Sequence, residues 1–292
     1  MPTCSVIVPV FNAGSALARL LASLRAQDYP RDRFEILCVD NRSTDAGPAW
    51  LRAQPDVTLL SQTDWQGPAA TRNTGIRAAR GDILAFIDAD CWAAPDWLSR
   101  GVTCLSERGV DRVAGRVEFV LSPRPNIYEL YDSTVNFQQA DFIAQGWSGT
   151  GNLFVRRAVF DEIGLFEPAL LSHEDSEWGL RAGRAGKTLA YAPDAVVYHR
   201  ARRSFSSLVR KWIRTEYGAA QVYRRCGLLE LQLWNRKANW RPLLHTWRNF
   251  PEPIRRNGHL RFTYDLLANA LRYAGNLGNF MGYYRVGRRP KG

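Results

Sequence analysis

Along the first 90 residues, short apolar runs alternate with stretches in which apolar positions recur every three to four residues. Ser5 to Val10 is a β-branched run, and Ser15 to Gln27 places Leu17, Leu20, Leu21 and Leu24 at helical spacing. Phe34 to Val39 reads as a second buried strand and Val57 to Leu60 as a third. Pro68 to Arg80 reads as a helix stopped by Gly81, and Ile83 to Ile87 as a fourth strand that delivers Asp88. Such alternation predicts a parallel sheet with helices on both faces. In sheets of this kind ligands gather beyond the carboxyl ends of the strands. Asn12, Asp40 and Asp88 all follow strand ends, so polar groups distant in sequence are expected to meet on one rim.

Beyond position 110 the alternation weakens. Val110 to Leu121 supplies a further strand, Pro123-Arg124-Pro125 interrupts the chain, and Gly146 to Gly151 forms a glycine-rich turn before the apolar Leu153-Phe154-Val155. Asp161 to Gly164 ends a short helix, and Leu170 to Asp175 leads into another that runs to Arg184. Two short strands, Leu189 to Tyr191 and Val196 to Tyr198, precede His199, after which the chain reads as helical.

The chain has 292 residues, 46% of them hydrophobic, enough for a large buried core. No run of about 18 uninterrupted apolar residues exists, and the N-terminus enters a strand directly, so neither export nor membrane spanning is expected. Five cysteines without a Cys-x-x-Cys pair suggest neither a zinc knuckle nor a disulfide framework. A reducing cytoplasm fits this usage. The formal charge of +11 is unevenly spread: residues 199–292 hold 20 lysines and arginines against 4 acids, while the rest of the chain is slightly acidic. Such a segment seeks polyanions, whether a membrane surface, nucleic acid or a phosphorylated substrate.

Two carboxylates at a strand terminus, Asp88 and Asp90, form a natural half-shell for a divalent cation carrying a diphosphate. A dinucleotide fold would need Gly-x-Gly-x-x-Gly after the first strand, where this chain has only Phe11-Asn12-Ala13-Gly14. A dehydrogenase that binds a dinucleotide cofactor is therefore disfavoured.

Several motifs occur in a fixed order over about the first 200 residues: Ser5 to Asn12, Val39-Asp40-Asn41-Arg42-Ser43-Thr44-Asp45, Ala70-Thr71-Arg72-Asn73-Thr74-Gly75, Asp88-Ala89-Asp90, Gly149-Thr150-Gly151-Asn152 and Glu174-Asp175. Together they resemble glycosyltransferase family 2, with the GT-A fold. The resemblance implies an α/β, Rossmann-like, mostly parallel sheet flanked by helices, followed by a basic helical appendage. A catalytic domain is expected over residues 1–200, with a nucleotide-sugar half at about 1–110 and an acceptor half at about 111–200; residues 201–292 form the appendage.

The implied reaction is metal-dependent, inverting transfer of a sugar from a nucleoside diphosphate sugar to an acceptor hydroxyl, in the synthesis of a surface polysaccharide or glycolipid. Asp90 is expected to ligate Mn²⁺ or Mg²⁺, with Asp88 at the ribose or the ion's water shell, and His199 to contact the metal or the diphosphate. Asp175 is expected to be the general base, with Glu174 beside it raising its pKa through like charge. Pro9, Phe11, Asp40, Asn41 and Arg72 would form the nucleoside pocket, and Gly151 and Asn152 the floor between donor sugar and acceptor, with Trp147 against a sugar face. Many relatives read Asp-Asp where this chain reads Asp40-Asn41, so UDP, dTDP and GDP donors all stay open. A nucleotidyltransferase using the same metal site and a non-catalytic nucleotide-sugar-binding scaffold are the alternatives; the first has no need of the Glu-Asp motif.

In the appendage, Phe205, Leu208, Val209, Trp212, Ile213 and Ala220 share one helical face, with Arg210, Lys211, Arg214, Arg224 and Arg225 on the others. A second amphipathic stretch runs from Leu260 to Tyr284. One reading docks these helices on the anionic inner face of the cell membrane, where a glycan or lipid-linked acceptor would be found. The other packs their apolar faces on the catalytic domain or a second subunit. Nucleic acid is a poorer partner, since no recognised fold accompanies the charge.

Overall fold

The computed structural model describes residues 1–226 and 258–284. Its sheet strands are β1 (Cys4–Val10), β2 (Phe34–Asp40), β3 (Thr58–Ser61), β4 (Ile83–Ile87), β5 (Cys91–Ala93), β6 (Arg112–Val120), β7 (Asn152–Arg156) and β8 (Leu189–Arg200). The helices are α1 (Gly14–Arg25), α2 (Gly47–Arg52), α3 (Pro68–Ala78), α4 (Trp97–Glu107), α5 (Ile127–Val135), α6 (Gln139–Ala144), α7 (Arg157–Ile163), α8 (Glu174–Arg184), α9 (Phe205–Cys226) and α10 (Gly258–Tyr284).

The eight strands form one sheet in the order β3-β2-β1-β4-β7-β6-β8-β5. β1 pairs in parallel with β2 and β4, and β2 with β3. These are the four strands expected from the sequence, and their parallel register sets Val10 opposite Asp40. β7 then runs antiparallel to β4, with Asn152 opposite Ile87, which returns the glycine-rich turn to the strand end that carries Asp88.

Apolar residues on both faces of the sheet explain the near-continuous hydrophobic runs of β1 and β4. On one face α1 buries Leu17, Leu20, Leu21 and Leu24 completely, against Val6, Val8, Ile36 and Cys38. Truncating one of these leucines to alanine would cost about 2–5 kcal/mol. On the other face Phe86 meets Phe160 and Phe166, and Trp178 of α8 stacks on Phe160 with centroids 4.4 Å apart. α8 is thereby fixed beside the sheet, with its first turn at the rim. The two short strands expected before His199 are one strand, β8; its exposed Pro193-Asp194 pair breaks the apolar pattern, while the run resumes at Ala195. Proline is tolerated at a strand position whose N–H is not needed by a neighbour.

The chain divides into two compact units. The first is residues 1–118, 137–169 and 174–200; the second is 119–136, 170–173 and 201–292. In the second unit Leu208 of α9 is buried with Leu130 and Tyr131 of α5 and with Tyr264, Leu267 and Leu271 of α10. Much of the apolar face expected on α9 is thus covered within its own unit, with Phe205 left 43% exposed. Arg202 and Arg203 bind acids of α5: Arg202 reaches Asp132 at 3.3 Å and Arg203 reaches Glu129 at 3.3 Å. Those two arginines belong to the scaffold at the start of α9. The side chains of Arg224, Arg225 and Leu260, and the basic residues of 227–257 and 285–292, lie outside the described residues.

Candidate active site

The site is built on the carboxyl-end rim of the first unit. β4, buried at every residue, ends in Ile87 and projects Asp88 past the sheet. Arg72, on the second turn of α3 and only 4% exposed, sits between two acids. Its Nη2 donates to Asp88 Oδ1 at 2.7 Å and its Nη1 to Glu174 Oε1 at 2.6 Å. One guanidinium therefore ties the strand end to the first turn of α8. The planar fork is suited to this, because its two outer nitrogens can serve two carboxylates at once. Burial alone would pull Arg72 down, but Asp88, Glu174 and Asp175 together hold its pKa above the ordinary value.

Asp175 follows Glu174 and is half-buried. Its Oδ1 accepts from the backbone N–H of Ser176 at 2.8 Å, and the N–H of Thr150 also donates to it. Desolvation pushes its carboxyl above the ordinary range, while Arg72 and the two backbone donors pull against that. Asp88 adds like charge that raises it further, and Arg72 also binds Glu174. A carboxylate raised in this way is a better proton acceptor.

Beyond Asp88 lies a set of side chains that could hold a metal ion. Asp90 has a side chain 57% exposed, and its Oδ2 is 3.3 Å from Nε2 of the buried His199. β5 and β8 pair antiparallel with Cys91 opposite His199, so a residue over 100 positions away meets Asp90 through sheet register alone. An oxygen and an imidazole nitrogen at this separation fit one edge of a divalent cation's coordination shell. Asp90, Cys91 and His199 each offer a donor atom within 4.8 Å of the others.

The glycine-rich turn closes the site. Gln139 pins it, with its amide nitrogen 3.1 Å from the carbonyl of Gly149 and its amide oxygen accepting from the Gly149 N–H at 2.9 Å. A Cβ on Gly151 would lie 2.9 Å from the Phe137 ring and 3.1 Å from Asp88 Oδ2, so only glycine lets this backbone pass so near the acid. Phe137 itself has φ 47° and its ring centroid is 5.9 Å from that of His199. Asn152 is fully buried: its amide oxygen accepts from Trp97 Nε1 at 2.8 Å and its nitrogen donates to the carbonyls of Arg116 and Ala195. Trp147 is 5% exposed and stacks on Phe142 with centroids 4.1 Å apart.

Among the residues expected to line a nucleoside pocket, Phe11 is 55% exposed and Pro9 half-buried. Asn12 and Arg42, just past β1 and β2, both have positive φ, the kind of backbone strain that gathers at working sites. Asp40 accepts from the Ser43 N–H at 3.2 Å. Asn41 is 2% exposed, and its amide is spent on one loop: the nitrogen donates to the carbonyls of Gln62 and Trp65, and the oxygen accepts from the Gly67 N–H at 2.7 Å. Sequence reading missed Gln62, Phe137, Gln139 and Cys91. The first three act through loop closure, which leaves no periodic signal, whereas Cys91 adjoins Asp90 and could have been found by asking for any ligating side chain beside the acids.

Residues 5–164 match the description "Glycosyl transferase family 2". Glycosyltransferase AglE of Haloferax volcanii is 39% identical over 228 residues, covering 76% of this chain and 75% of that protein. The pre-mycofactocin glycosyltransferase of Mycobacterium tuberculosis is 28% identical over 72% of this chain; the match spans 44% of that longer protein. Among solved structures, a mannosyltransferase from Pyrobaculum calidifontis in complex with GDP-Man and Mn²⁺ superposes with a TM-score of 0.67 at 23% identity, over 96% of this chain and 87% of that one. Staphylococcus aureus TarS in complex with UDP-GlcNAc gives 0.55 at 18% identity, over 99% and 93%. These likenesses in structure show a shared GT-A fold. With the family match covering more than half of the chain and a 39%-identical relative aligned over three quarters of it, this protein is a glycosyltransferase of family 2.

Proposed function

We propose that the chain transfers a sugar from a nucleoside diphosphate sugar to an acceptor hydroxyl with inversion at the anomeric carbon, aided by Mn²⁺ or Mg²⁺. The observation that carries this reading is the Asp88–Arg72–Glu174 bridge, which fixes the donor-side acids and the acceptor-side Asp175 in one constellation. Residues 1–200 would hold the chemistry.

In this reading Asp90 and His199 hold the metal, which when bound neutralises charge growing on the leaving diphosphate. Asp88, anchored by Arg72, positions the ribose or the ion's water. Asp175 takes the proton of the acceptor hydroxyl while that oxygen forms its bond to the anomeric carbon; the bond to the diphosphate breaks on the opposite face and its electron pair leaves with the β-phosphate oxygen. Phe11 and Asp40 line the nucleoside pocket. Asn41 and Asn152 act by holding loops and strands in place, since their amides are committed to backbone and to Trp97. Base choice then falls on neighbouring groups. Structural neighbours crystallised with GDP-Man and with UDP-GlcNAc put both a purine and a pyrimidine within the fold's range.

A polymeric or lipid-linked acceptor fits relatives described as a poly(ribitol-phosphate) β-glucosyltransferase and a succinoglycan biosynthesis protein. No described helix is long and apolar enough to cross a membrane. On α10, Leu266, Tyr273 and Leu277 are exposed at positions of one helical face, and with the basic C-terminal charge they support peripheral docking on anionic lipid.

The test is turnover of a panel of nucleoside diphosphate sugars with Mn²⁺. Asp175→Asn is expected to bind donor with unchanged affinity and lose at least 100-fold in transfer; Asp90→Asn is expected to lose metal-dependent donor binding. Normal transfer by Asp175→Asn would remove Asp175 as the base.

A further inference from the structure

Cys91 follows Asp90 directly and opens β5, and its register partner on β8 is His199. Directly opposed residues of an antiparallel pair project to the same face of the sheet. Thiol and imidazole thus lie side by side, both buried, with the Asp90 carboxylate at their outer edge. His199 Nε2 is 3.3 Å from Asp90 Oδ2, and Cys91 Sγ is 3.7 Å from Asp90 Oδ1. A tetrahedral zinc ion with Zn–S of about 2.3 Å and Zn–N and Zn–O of about 2.0–2.2 Å has donor–donor edges of roughly 3.3–3.7 Å. The imidazole and the thiol each lie at such a separation from one oxygen of the Asp90 carboxylate, and one donor atom from each of the three residues falls within 4.8 Å of the others, so small side-chain adjustments would bring all three onto one ion.

The donor types matter as much as the distances. Mg²⁺ and Mn²⁺ prefer oxygen and gain little from sulfur, whereas a thiolate, an imidazole and a carboxylate form a set that selects Zn²⁺. We propose that Asp90, Cys91 and His199 form a three-donor site for a thiophilic divalent cation of the Zn²⁺ class, overlapping the position of the catalytic metal. The proposal extends the reading of Asp90 and His199 as metal residues and rests on it. When the ion binds, the Cys91 proton passes to solvent and a metal–sulfur bond forms, with no change of oxidation state. Three protein donors leave a tetrahedral ion one open corner. That is too few for an ion that must chelate a diphosphate, so Zn²⁺ would hold the site in an unproductive state and compete with Mn²⁺.

Co²⁺ is the probe, since a thiolate ligand adds a near-ultraviolet charge-transfer band and tetrahedral geometry intensifies the visible bands. Titrated into the full chain, Co²⁺ is expected to produce both, and an equivalent of Zn²⁺ to abolish them. Cys91→Ser and Cys91→Ala, both checked for folding by circular dichroism, are expected to lose the charge-transfer band and to bind Zn²⁺ at least tenfold more weakly in competition with a chromophoric chelator. A band that persists in both variants overturns the assignment by placing the thiolate elsewhere. Mn²⁺ binding, read from water proton relaxation, is measured alongside. Mn²⁺ bound without a thiolate band for Co²⁺ overturns the zinc proposal alone, and neither ion bound overturns the metal reading with it.

Discussion

Arg72 is surrounded by more negative charge than it carries, with Asp88 and Glu174 in contact and Asp175 close enough to feel it. Removing the guanidinium would take from the buried Glu174 and the partly exposed Asp88 the cation they share. Breaking a buried pair in this way costs about 3–5 kcal/mol. Arg72→Met is therefore expected to lower the unfolding free energy by that order, and Arg72→Lys by less, since a single ammonium keeps the charge but cannot serve both carboxylates. The two also differ in their pH profile. Asp175 is already raised by desolvation, and a base works only when deprotonated, so the acidic limb of kcat/KM should lie above the ordinary carboxylate value. Arg72 pulls that limb down. Its loss should move the limb to higher pH in Arg72→Met and leave it nearer the wild-type position in Arg72→Lys, as read from kcat/KM between pH 5 and 9. A limb that stays in place in Arg72→Met would show that Asp175 is not the group titrating.

At the scale of elements, β1, β2 and β4 could be read from sequence because each is an apolar run buried on both faces, and the acids because charge at a strand end has no place in a core. Other elements left weaker traces. α5 begins with Asn126 and Glu129 in a reciprocal capping box, an Asn-x-x-Glu signal that was available in the sequence, whereas α6 is six residues long and has no side-chain cap. The commitment of Asn41 and Asn152 to backbone groups could not be read, since it depends on which carbonyls the folded loops present. Nor could the pairing of α9 with α10, which buries Glu216 at 6% exposure with Asn279 donating to it. Burial pushes this carboxyl from 4.5 up to about 7. Between those values the folded chain binds the proton more tightly than the unfolded one, so stability falls as pH rises through that window and the full cost is present by pH 8. Glu216→Gln is expected to be more stable than wild type at pH 8, by no more than about 3 kcal/mol, with the difference gone near pH 4.5. Urea unfolding across this pH range, followed by helix signal, checks the sign; a difference independent of pH would assign the effect to packing.

For the whole molecule, the sequence invites a cut after residue 200, where acidic chain gives way to basic chain. The second unit, however, draws residues 119–136 and 170–173 from before that point. α5 shows what a cut would do. Leu130 and Tyr131 are each 5% exposed because Leu208, Tyr264, Leu267 and Leu271 cover them, and Asp132 is fully buried against Arg202 and Lys211. Residues 1–200 alone would present those two apolar side chains to water and strip Asp132 of both cations. The N–H of Arg202, which donates to Asp132 at 2.9 Å, would go as well. A buried acid regains water when its cover is removed, so the charge is tolerated; the apolar face is not, and invites association. The 1–200 fragment is therefore expected to be less soluble and to melt below the full chain. Leu130→Ser with Tyr131→Ser in the fragment should restore solubility, whereas the same pair should destabilise the full chain by removing apolar contacts that it still makes. Light scattering and thermal melts of the four proteins provide the comparison. A fragment that is monomeric and melts with the full chain would mean that α9 and α10 add nothing to the fold of the residues before them, and that the use of their basic surface must be sought in docking alone.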